Sequence, residues 1–237
     1  MKIPAVILAL LLTSVIHAQT NHTGWLATFN TFKTGKKTSI HNDLQWRGSD
    51  ELTHTQTFLA RVGLNVKLNN TLTVTAGYAF IHNRRTVAGV TGYAPEHRIW
   101  QQLLIAQKFK HTLLSHRFRL EQRFISRSTV VNNELKNEDA YFANRIRYFA
   151  RAVQPLNGDP GFKKGMFAAL QNEVFFNFGN TANVNGQHFD QNRFYATAGY
   201  RINPVIDLEA GYLNQYVKNR SGRTNNHILQ LAAYLKL

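Results

Sequence analysis

The sequence predicts an all-β protein, an antiparallel up-and-down transmembrane β-barrel of about 10–12 strands. Three observations predict it. After residue 20, apolar and polar side chains alternate with a period of two, which indicates strands with two chemically different faces. Several of these stretches are long enough for a tilted strand to cross a bilayer, which takes about 9–11 residues. No stretch of comparable length has the 3.6-residue period of a helix.

The first eighteen residues have the composition of a secretory signal peptide. Lys2 supplies the positive start, residues 3–16 form a nearly unbroken apolar run, and Ala18 is a small residue at the expected cleavage site. The run is shorter than the ~20 residues of a spanning helix. We therefore expect residues 1–18 to be removed and residues 19–237 to form one domain in the bacterial outer membrane. The alternative is an N-terminal buried helix.

The two faces of each predicted strand differ in chemistry. Val62 and Leu64, for example, share an apolar face, whereas Arg61 and Asn65 point the other way. A soluble β-sandwich is the alternative, but its strands are typically about 5–6 residues long, and its charged face would be exposed. In a membrane barrel the charged face lines the interior. The alternation places strands near residues 22–33, 37–47, 55–68, 71–84, 97–110, 112–127, 139–154, 165–178, 188–202, 205–218 and 224–237, with one slip of register near Ile228.

The number of predicted strands conflicts with a rule for bacterial barrels. Bacterial single-chain barrels have an even number of strands, whereas the segments above number eleven. We therefore expect either ten strands, with residues 22–33 as a supplementary segment, or twelve strands with one segment unrecognised.

The connections alternate between short and long. Asn69-Asn70, Lys110-His111 and Asn203-Pro204 predict tight turns, whereas residues 84–95, 127–138 and 179–187 predict long loops. Short turns on one side and long loops on the other are typical of periplasmic and external connections in outer-membrane barrels. The long connection at residues 154–165 falls on the short side and does not fit this scheme.

Composition excludes several functional classes. The chain has no cysteine, which removes disulfides, thiolate nucleophiles and Cys-ligated metals. The histidines lack metal-ligand spacing, there is no phosphate-binding glycine motif, and we expect no metal and no cofactor. Lys and Arg number 28 against 13 Asp and Glu, a formal net charge of +15. Because these cations alternate with apolar residues inside strands and form no recognisable nucleic-acid module, we expect no nucleic-acid partner.

Six segments taken in order carry a resemblance to a known family. They are residues 96–103, 115–124, 144–148, 172–177, 190–195 and 210–216. Their order resembles the domain of unknown function 2490 family, secreted Gram-negative proteins common in Bacteroidota, from about residue 24 to the end of the chain. The resemblance implies an outer-membrane β-barrel-like protein and transfers no catalytic residues, because the family has none assigned.

The charged face supplies the candidate site. The predicted inward-facing residues are Arg61, Arg98, Gln102, Arg117, Arg119, Glu121, Arg123, Arg145, Arg147, Glu173, Arg193 and Glu209. Arginine pairs bidentately with carboxylates, so Arg–Glu ion pairs could cross-link the interior of a structural barrel. The alternative is a small passive, porin-like channel for anionic solutes, because arginines outnumber glutamates in this set.

A second alternative is an outer-membrane hydrolase, and it is weaker. Ser115 and His116 are adjacent on one strand and point to opposite faces. His97 with Ser126 or Ser128 would need a cross-strand register that the sequence does not give. We expect no enzyme. The expected partners are outer-membrane lipid, lipopolysaccharide near loop cations, the barrel-assembly machinery during biogenesis and, for a channel, a small anionic solute.

Overall fold

The chain forms one closed barrel of eleven strands, in a computed structural model that describes residues 19–156 and 161–237. The strands are β1 (Gln19–Lys33), β2 (Thr38–Gly48), β3 (Thr55–Lys67), β4 (Leu72–Val87), β5 (Val90–Phe109), β6 (Thr112–Val131), β7 (Glu134–Pro155), β8 (Gly165–Phe178), β9 (Phe189–Asn203), β10 (Ile206–Lys218) and β11 (Arg223–Lys236). Each strand pairs with its neighbours in chain order. The predicted all-β, up-and-down antiparallel barrel is confirmed, with a strand count inside the predicted range.

Helical structure in the described residues is limited to two short 3₁₀ turns, Asp50–Leu52 and Thr181–Asn183. No helix in this part of the chain is long and apolar enough to span a membrane. The predicted signal peptide, residues 1–18, lies outside the described residues.

The expectation of an even strand number is wrong. β1 is a full member of the barrel, antiparallel to β2 and parallel to β11. The parallel ladder runs from Gln19 opposite Thr224 to Thr31 opposite Lys236. In an up-and-down barrel the strand direction alternates, so the first and last of eleven strands run the same way and must pair in parallel. The segment near residues 22–33 is thus neither supplementary nor evidence of a missing strand.

The two ends of the barrel differ in how far the strands protrude. We call the end where β1 begins the upper end, and the opposite end the lower end. At the upper end, β4 and β5 pair only with each other beyond Asn83 and Glu96, closing at residues 88–89. β6 and β7 do the same and close at residues 132–133. The predicted long loops at 84–95 and 127–138 are therefore wrong, because these segments are strand hairpins with tight turns.

The remaining connections follow the predictions more closely. The loop between β8 and β9 is long, and the turns after β3, β5 and β9 are short. The connection between β7 and β8, which did not fit the predicted scheme, is long and lies at the lower end. Residues 157–160 within it lie outside the described part of the chain. Its Phe162 packs with Phe167 and Ala169 inside that end of the barrel.

Side chains alternate between the outside and the inside of the barrel, as the period of two predicts. Leu64 and Ile99 point outwards and are 48% and 49% exposed, whereas Trp100 points inwards and is fully buried. The predicted slip near Ile228 is wrong, because β11 is continuous and Ile228 is buried on the inner face.

Glycines make room for the largest of these inward side chains. Gly63 and Gly77 face each other across β3 and β4, and Gly77 faces Trp100 on β5. A Cβ atom on Gly77 would lie 2.7 Å from the Trp100 ring and 2.2 Å from the Val62 carbonyl oxygen. The indole ring therefore packs against a strip of backbone that carries no side chains.

Candidate functional site

The structure places the twelve predicted candidates on the inner face of the barrel. Those with the lowest exposure are Glu121 at 1% and Arg119 at 2%. The members that line the two interior cavities described below are Arg61, Arg98, Gln102, Arg117, Arg119, Arg123, Arg145, Arg147, Glu173 and Arg193. Glu121 and Glu209 are also buried, and each accepts a hydrogen bond from an arginine of this interior.

A continuous set of ion pairs crosses the middle of the barrel. We define the central network as Glu96, Arg98, Arg117, Glu121, Arg123, Arg145, Arg147, Glu173 and Asp190. Glu121 accepts hydrogen bonds from Arg145 Nη2 and Arg147 Nη1, both at 2.6 Å. Arg147 continues to Glu173 Oε1 through Nε (3.0 Å) and Nη2 (2.8 Å). These bonds join β6, β7 and β8 through side chains as well as through the backbone ladder.

The network extends to strands on either side. Glu96 accepts hydrogen bonds from Arg98 Nε at 2.7 Å and from Arg123 Nε at 2.6 Å, which ties β5 to β6. At the other end Arg145 Nη1 donates to Asp190 Oδ2 on β9 at 2.8 Å. Hydrogen bonds between ionised groups are about twice as strong as neutral ones, and each buried carboxylate here has at least one guanidinium partner.

Smaller ion-pair groups lie on the opposite wall and at the lower rim. Asp43 on β2 accepts a hydrogen bond from Arg61 Nη1 on β3 at 2.8 Å. Glu209 on β10 is paired with Arg151 on β7, a contact that reaches across the interior. At the lower rim the Arg201 guanidinium donates to both carboxylate oxygens of Asp207, at 2.6 and 2.8 Å.

Three interior arginines have no carboxylate within ion-pair distance among the described residues: Arg47, Arg119 and Arg193. Arg119 donates to Gln102 Oε1 from Nε (3.1 Å) and Nη2 (2.7 Å). Arg47 and Arg193 donate to glutamine side-chain oxygens at 2.7 and 3.3 Å. Their guanidinium carbons also lie over the Trp25 ring, 4.2 and 5.1 Å from its centroid. These contacts are favourable but do not neutralise the three positive charges.

The sequence-based list omitted several of these interior residues: Asp43, Arg47, Glu96, Arg151, Asp190, Arg201 and Asp207. Asp43 and Arg47 alternate with Leu44 and Trp46, a signal that the sequence does contain. Asp190 could not be found in this way. A β-bulge opposite Phe175 and Phe176 turns both Asp190 and its neighbour Gln191 inwards, which breaks the strict alternation.

The interior of the barrel contains two main cavities. The lower cavity has a volume of about 850 Å³ and is bounded at the rim by residues 33–38 and 235–237. The upper cavity is smaller, about 310 Å³. Arg47, Arg61, Arg147 and Arg193 line both cavities and therefore lie between them. We call these four arginines the guanidinium septum.

The serine–histidine pairs considered for a hydrolase are not assembled. Ser115 lines the lower cavity, whereas the adjacent His116 points outwards and shares a hydrogen bond with Tyr148. His97 also points outwards, where it bonds to Tyr78, and Ser126 is buried near the bulge of β6. Ser128 bonds to Asn137 in the protruding hairpin. Within the described ranges, no three His, Asp or Glu side chains converge as a metal site would require.

Comparison with known proteins places this barrel in a family. Residues 22–226 match the family described as "Protein of unknown function (DUF2490)". The chain belongs to the DUF2490 family. The match covers ten strands completely or almost completely and the beginning of β11, so the family resemblance expected from the ordered segments is confirmed. No curated protein and no solved structure matches the chain. What this DUF2490 barrel does must be argued from its own side chains.

Proposed function

We propose that this DUF2490 protein is an outer-membrane β-barrel with a structural role, whose interior is closed by Arg–carboxylate ion pairs. The observation that carries the proposal is the inversion of its two faces. Apolar side chains cover the outside, whereas the inside carries many guanidinium and carboxylate groups beside small apolar clusters. A soluble barrel buries apolar residues and exposes charges, so this arrangement is favoured when the surrounding solvent is lipid.

The outer apolar surface continues around the barrel. Outward-facing side chains that are at least two-fifths exposed include Leu26, Leu44, Phe58, Val62, Leu64, Tyr78, Ile99, Phe118, Phe142, Ile146, Leu170, Phe176, Phe194, Tyr200, Leu208, Tyr212, Leu229 and Leu231. Each of the eleven strands contributes at least one of these side chains. A monomeric soluble protein rarely exposes so large an apolar area, whereas a barrel in lipid requires a belt of about this kind.

Polar side chains on this outer surface are paired with one another. The amides of Gln101 and Gln122 form two reciprocal hydrogen bonds of 3.2 Å across β5 and β6. Asn172 and Asn192 form a similar pair across β8 and β9. An unpaired polar group in hydrocarbon costs several kcal/mol because no water is present. Lateral pairing reduces this cost and supports a membrane location.

Histidines on the outer surface follow the same rule. The imidazole of His116 shares a hydrogen bond of 2.9 Å with the Tyr148 hydroxyl, and Tyr212 pairs with His227 in the same way. The members of each pair come from adjacent strands. A tyrosine hydroxyl thus satisfies the imidazole that lipid would leave without a partner.

The septum favours a closed barrel over a channel. Arg147 and Arg193 lie between the two cavities, and Arg147 is fixed by Glu121 and Glu173 on neighbouring strands. Movement of Arg147 out of the septum would break these charged hydrogen bonds. A passive channel for anionic solutes remains the second candidate, because the surplus of arginines would attract anions.

We further propose that the upper end faces outwards, with lipopolysaccharide and lipid as partners and the barrel-assembly machinery required for insertion. The protruding β4–β5 and β6–β7 hairpins support this orientation, since external connections are the longer ones in such barrels. The cations Arg84 and Arg220 lie at this end, where they would meet anionic headgroups.

Membrane location is tested by fractionation of cells that express the full chain. We expect the protein in the outer-membrane fraction, with gel mobility that changes on boiling, because a closed barrel without free edges resists detergent until heated. Recovery as a soluble periplasmic monomer without detergent would overturn the proposal.

Closure is tested separately by planar-bilayer recording of the purified barrel. We expect no stable unitary conductance. A steady conductance with a reversal potential that reports anion preference would replace the structural role with the channel.

A further inference from the structure

The lower cavity is large enough for a small-molecule ligand. Its volume of about 850 Å³ lies within the range of roughly 300–1,000 Å³ that ligand sites occupy in proteins. The guanidinium septum lies at its upper side, and its lower end lies at the rim formed by residues 33–38 and 235–237.

The charge of this cavity is strongly unbalanced. Its lining includes the cations Lys33, Lys36, Lys37, Arg47, Arg61, Lys67, Arg117, Arg119, Arg147, Arg151, Arg193 and Lys236. Glu173 is the one acidic side chain in the same lining. Its carboxylate is already engaged by Arg117 at 2.6 Å and by Arg147 at 2.8 Å. Carboxylates of the wall pair with five of these cations, namely Arg61, Arg117, Arg147, Arg151 and Lys236. The lining arginines that no carboxylate of the described residues balances are Arg47, Arg119 and Arg193.

Single nitrogen atoms of several guanidinium groups at the cavity wall lack a hydrogen-bond acceptor in the described part of the chain. Arg119 is 2% exposed, and its Nη1 atom has no acceptor. The Nε atoms of Arg47, Arg117 and Arg193 are likewise buried without an acceptor. Leaving a buried donor of a charged group unsatisfied costs several kcal/mol. Because Arg47, Arg119 and Arg193 line the same cavity, a single anionic ligand there would lie beside several guanidinium groups at once.

We propose that the lower cavity binds a small polyanion that carries two or more phosphate or carboxylate groups. Three arginines of the lining, Arg47, Arg119 and Arg193, have no carboxylate partner, which matches a ligand with two or three negative charges. The planar fork of a guanidinium binds such oxygens bidentately. The site goes beyond the proposed structural role, since a closed barrel needs ion pairs but does not need surplus buried cations.

The arginines without carboxylate partners also make the proposal testable without unfolding the barrel. Replacing Arg147 would take a partner from both Glu121 and Glu173. Replacing Arg119 or Arg193 removes a positive charge and leaves no carboxylate behind. Arg119→Gln and Arg193→Gln should therefore fold normally, which their boiling-dependent gel mobility and circular dichroism can verify.

The test is calorimetric titration of the detergent-purified full chain with inorganic pyrophosphate in a low-salt buffer free of phosphate. We expect saturable binding of one pyrophosphate per barrel. Loss of one charged hydrogen-bond donor typically weakens binding by about tenfold or more, so Arg119→Gln and Arg193→Gln should each raise the Kd by that factor. Arg220→Gln, which removes the same charge from the exposed upper end, should leave the Kd unchanged.

A parallel titration with citrate identifies the ligand class. Tighter binding of pyrophosphate supports a phosphate ligand, and tighter binding of citrate supports a polycarboxylate. Absence of binding by both probes to a correctly folded barrel would overturn the site and leave the membrane proposal intact. So would binding that is equally affected by Arg220→Gln, because it would report non-specific attraction to a basic protein.

Discussion

Asp43 and Arg61 lie directly opposite each other on β2 and β3, with Arg61 Nη1 donating to Asp43 Oδ2 at 2.8 Å. Asp43 is fully buried and Arg61 is 5% exposed. His41 Nε2, at 3.2 Å from the same carboxylate oxygen, is the additional neighbour. The pair occupies the wall opposite the central network, so ion pairs hold the barrel from both sides of its interior.

Removal of Arg61 should destabilise the barrel strongly. Arg61→Gln leaves the Asp43 carboxylate buried without its guanidinium, and breaking a buried pair in this way costs roughly 3–5 kcal/mol. The free energy of unfolding, measured by urea titration of the barrel in detergent micelles, should fall by that amount. Arg119→Gln is the matched control, because it removes an equally buried arginine that has no carboxylate partner. Equal losses in the two variants would contradict the role assigned to the pair.

The sequence predicts the two faces of the barrel well, and the reason is local. Side-chain direction in a strand depends only on residue parity, so Arg61 and Leu64 could be assigned to opposite faces from their positions alone. Asp190 could not, because a bulge is a local insertion that leaves no mark on composition. The predicted strand at residues 97–110 does not include Glu96, whereas β5 extends through it from Val90.

The strand number could not be predicted because alternation carries no information about closure. The eleven segments were visible, and the even-number rule for bacterial barrels argued against them. Which ion pairs form is also beyond the sequence. Arg145 and Asp190 are separated by 45 positions in the chain and meet only because β7 and β9 flank β8 in a curved wall.

A charged side chain should lower the stability of the barrel on its outer face and have little effect on its inner face. Leu64→Asp places a carboxylate on the apolar surface and should cost on the order of 2 kcal/mol if that surface faces lipid. Asn65→Asp places the same group on the inner face, where Asn65 Oδ1 already accepts a hydrogen bond from Thr75 Oγ1 at 2.7 Å. We expect little loss of stability there, because the lining of the lower cavity is cationic. Unfolding midpoints in lipid vesicles would measure both, and equal costs would show that Leu64 does not face lipid.

The glycine strip beneath Trp100 should tolerate no side chain. In Gly77→Ala the added Cβ would lie 2.2 Å from the Val62 carbonyl oxygen and 2.7 Å from the indole ring. Overpacking of this kind typically costs about 1–3 kcal/mol, because backbone or ring must move. Gly222→Ala is the control, since nothing lies within 4 Å of its Cβ. Trp fluorescence should shift in the first variant alone, and an unperturbed Gly77→Ala barrel would contradict the packing described for Trp100.

The parallel seam between β1 and β11 distinguishes eleven strands from ten. Thr28 and Ala233 are opposite each other on these strands and both face outwards. Adjacent strands are about 4.8 Å apart, within the Cα separation that a disulfide allows. Because the chain has no cysteine of its own, Thr28→Cys combined with Ala233→Cys should form a single disulfide on oxidation of the folded barrel.

The control for the seam places the second cysteine one strand further away. Leu44 on β2 faces Thr28, so it lies two strand spacings, roughly 10 Å, from Ala233. Leu44→Cys with Ala233→Cys should therefore not cross-link, because the Cα atoms exceed the ~7 Å limit for a disulfide. In a ten-stranded barrel with β1 outside the wall, β2 and β11 would be neighbours, and the two results would be reversed. Mobility on non-reducing gels, with and without boiling, separates these outcomes. The disulfide would close almost the whole chain into a covalent loop, and this loop would persist after the barrel has unfolded.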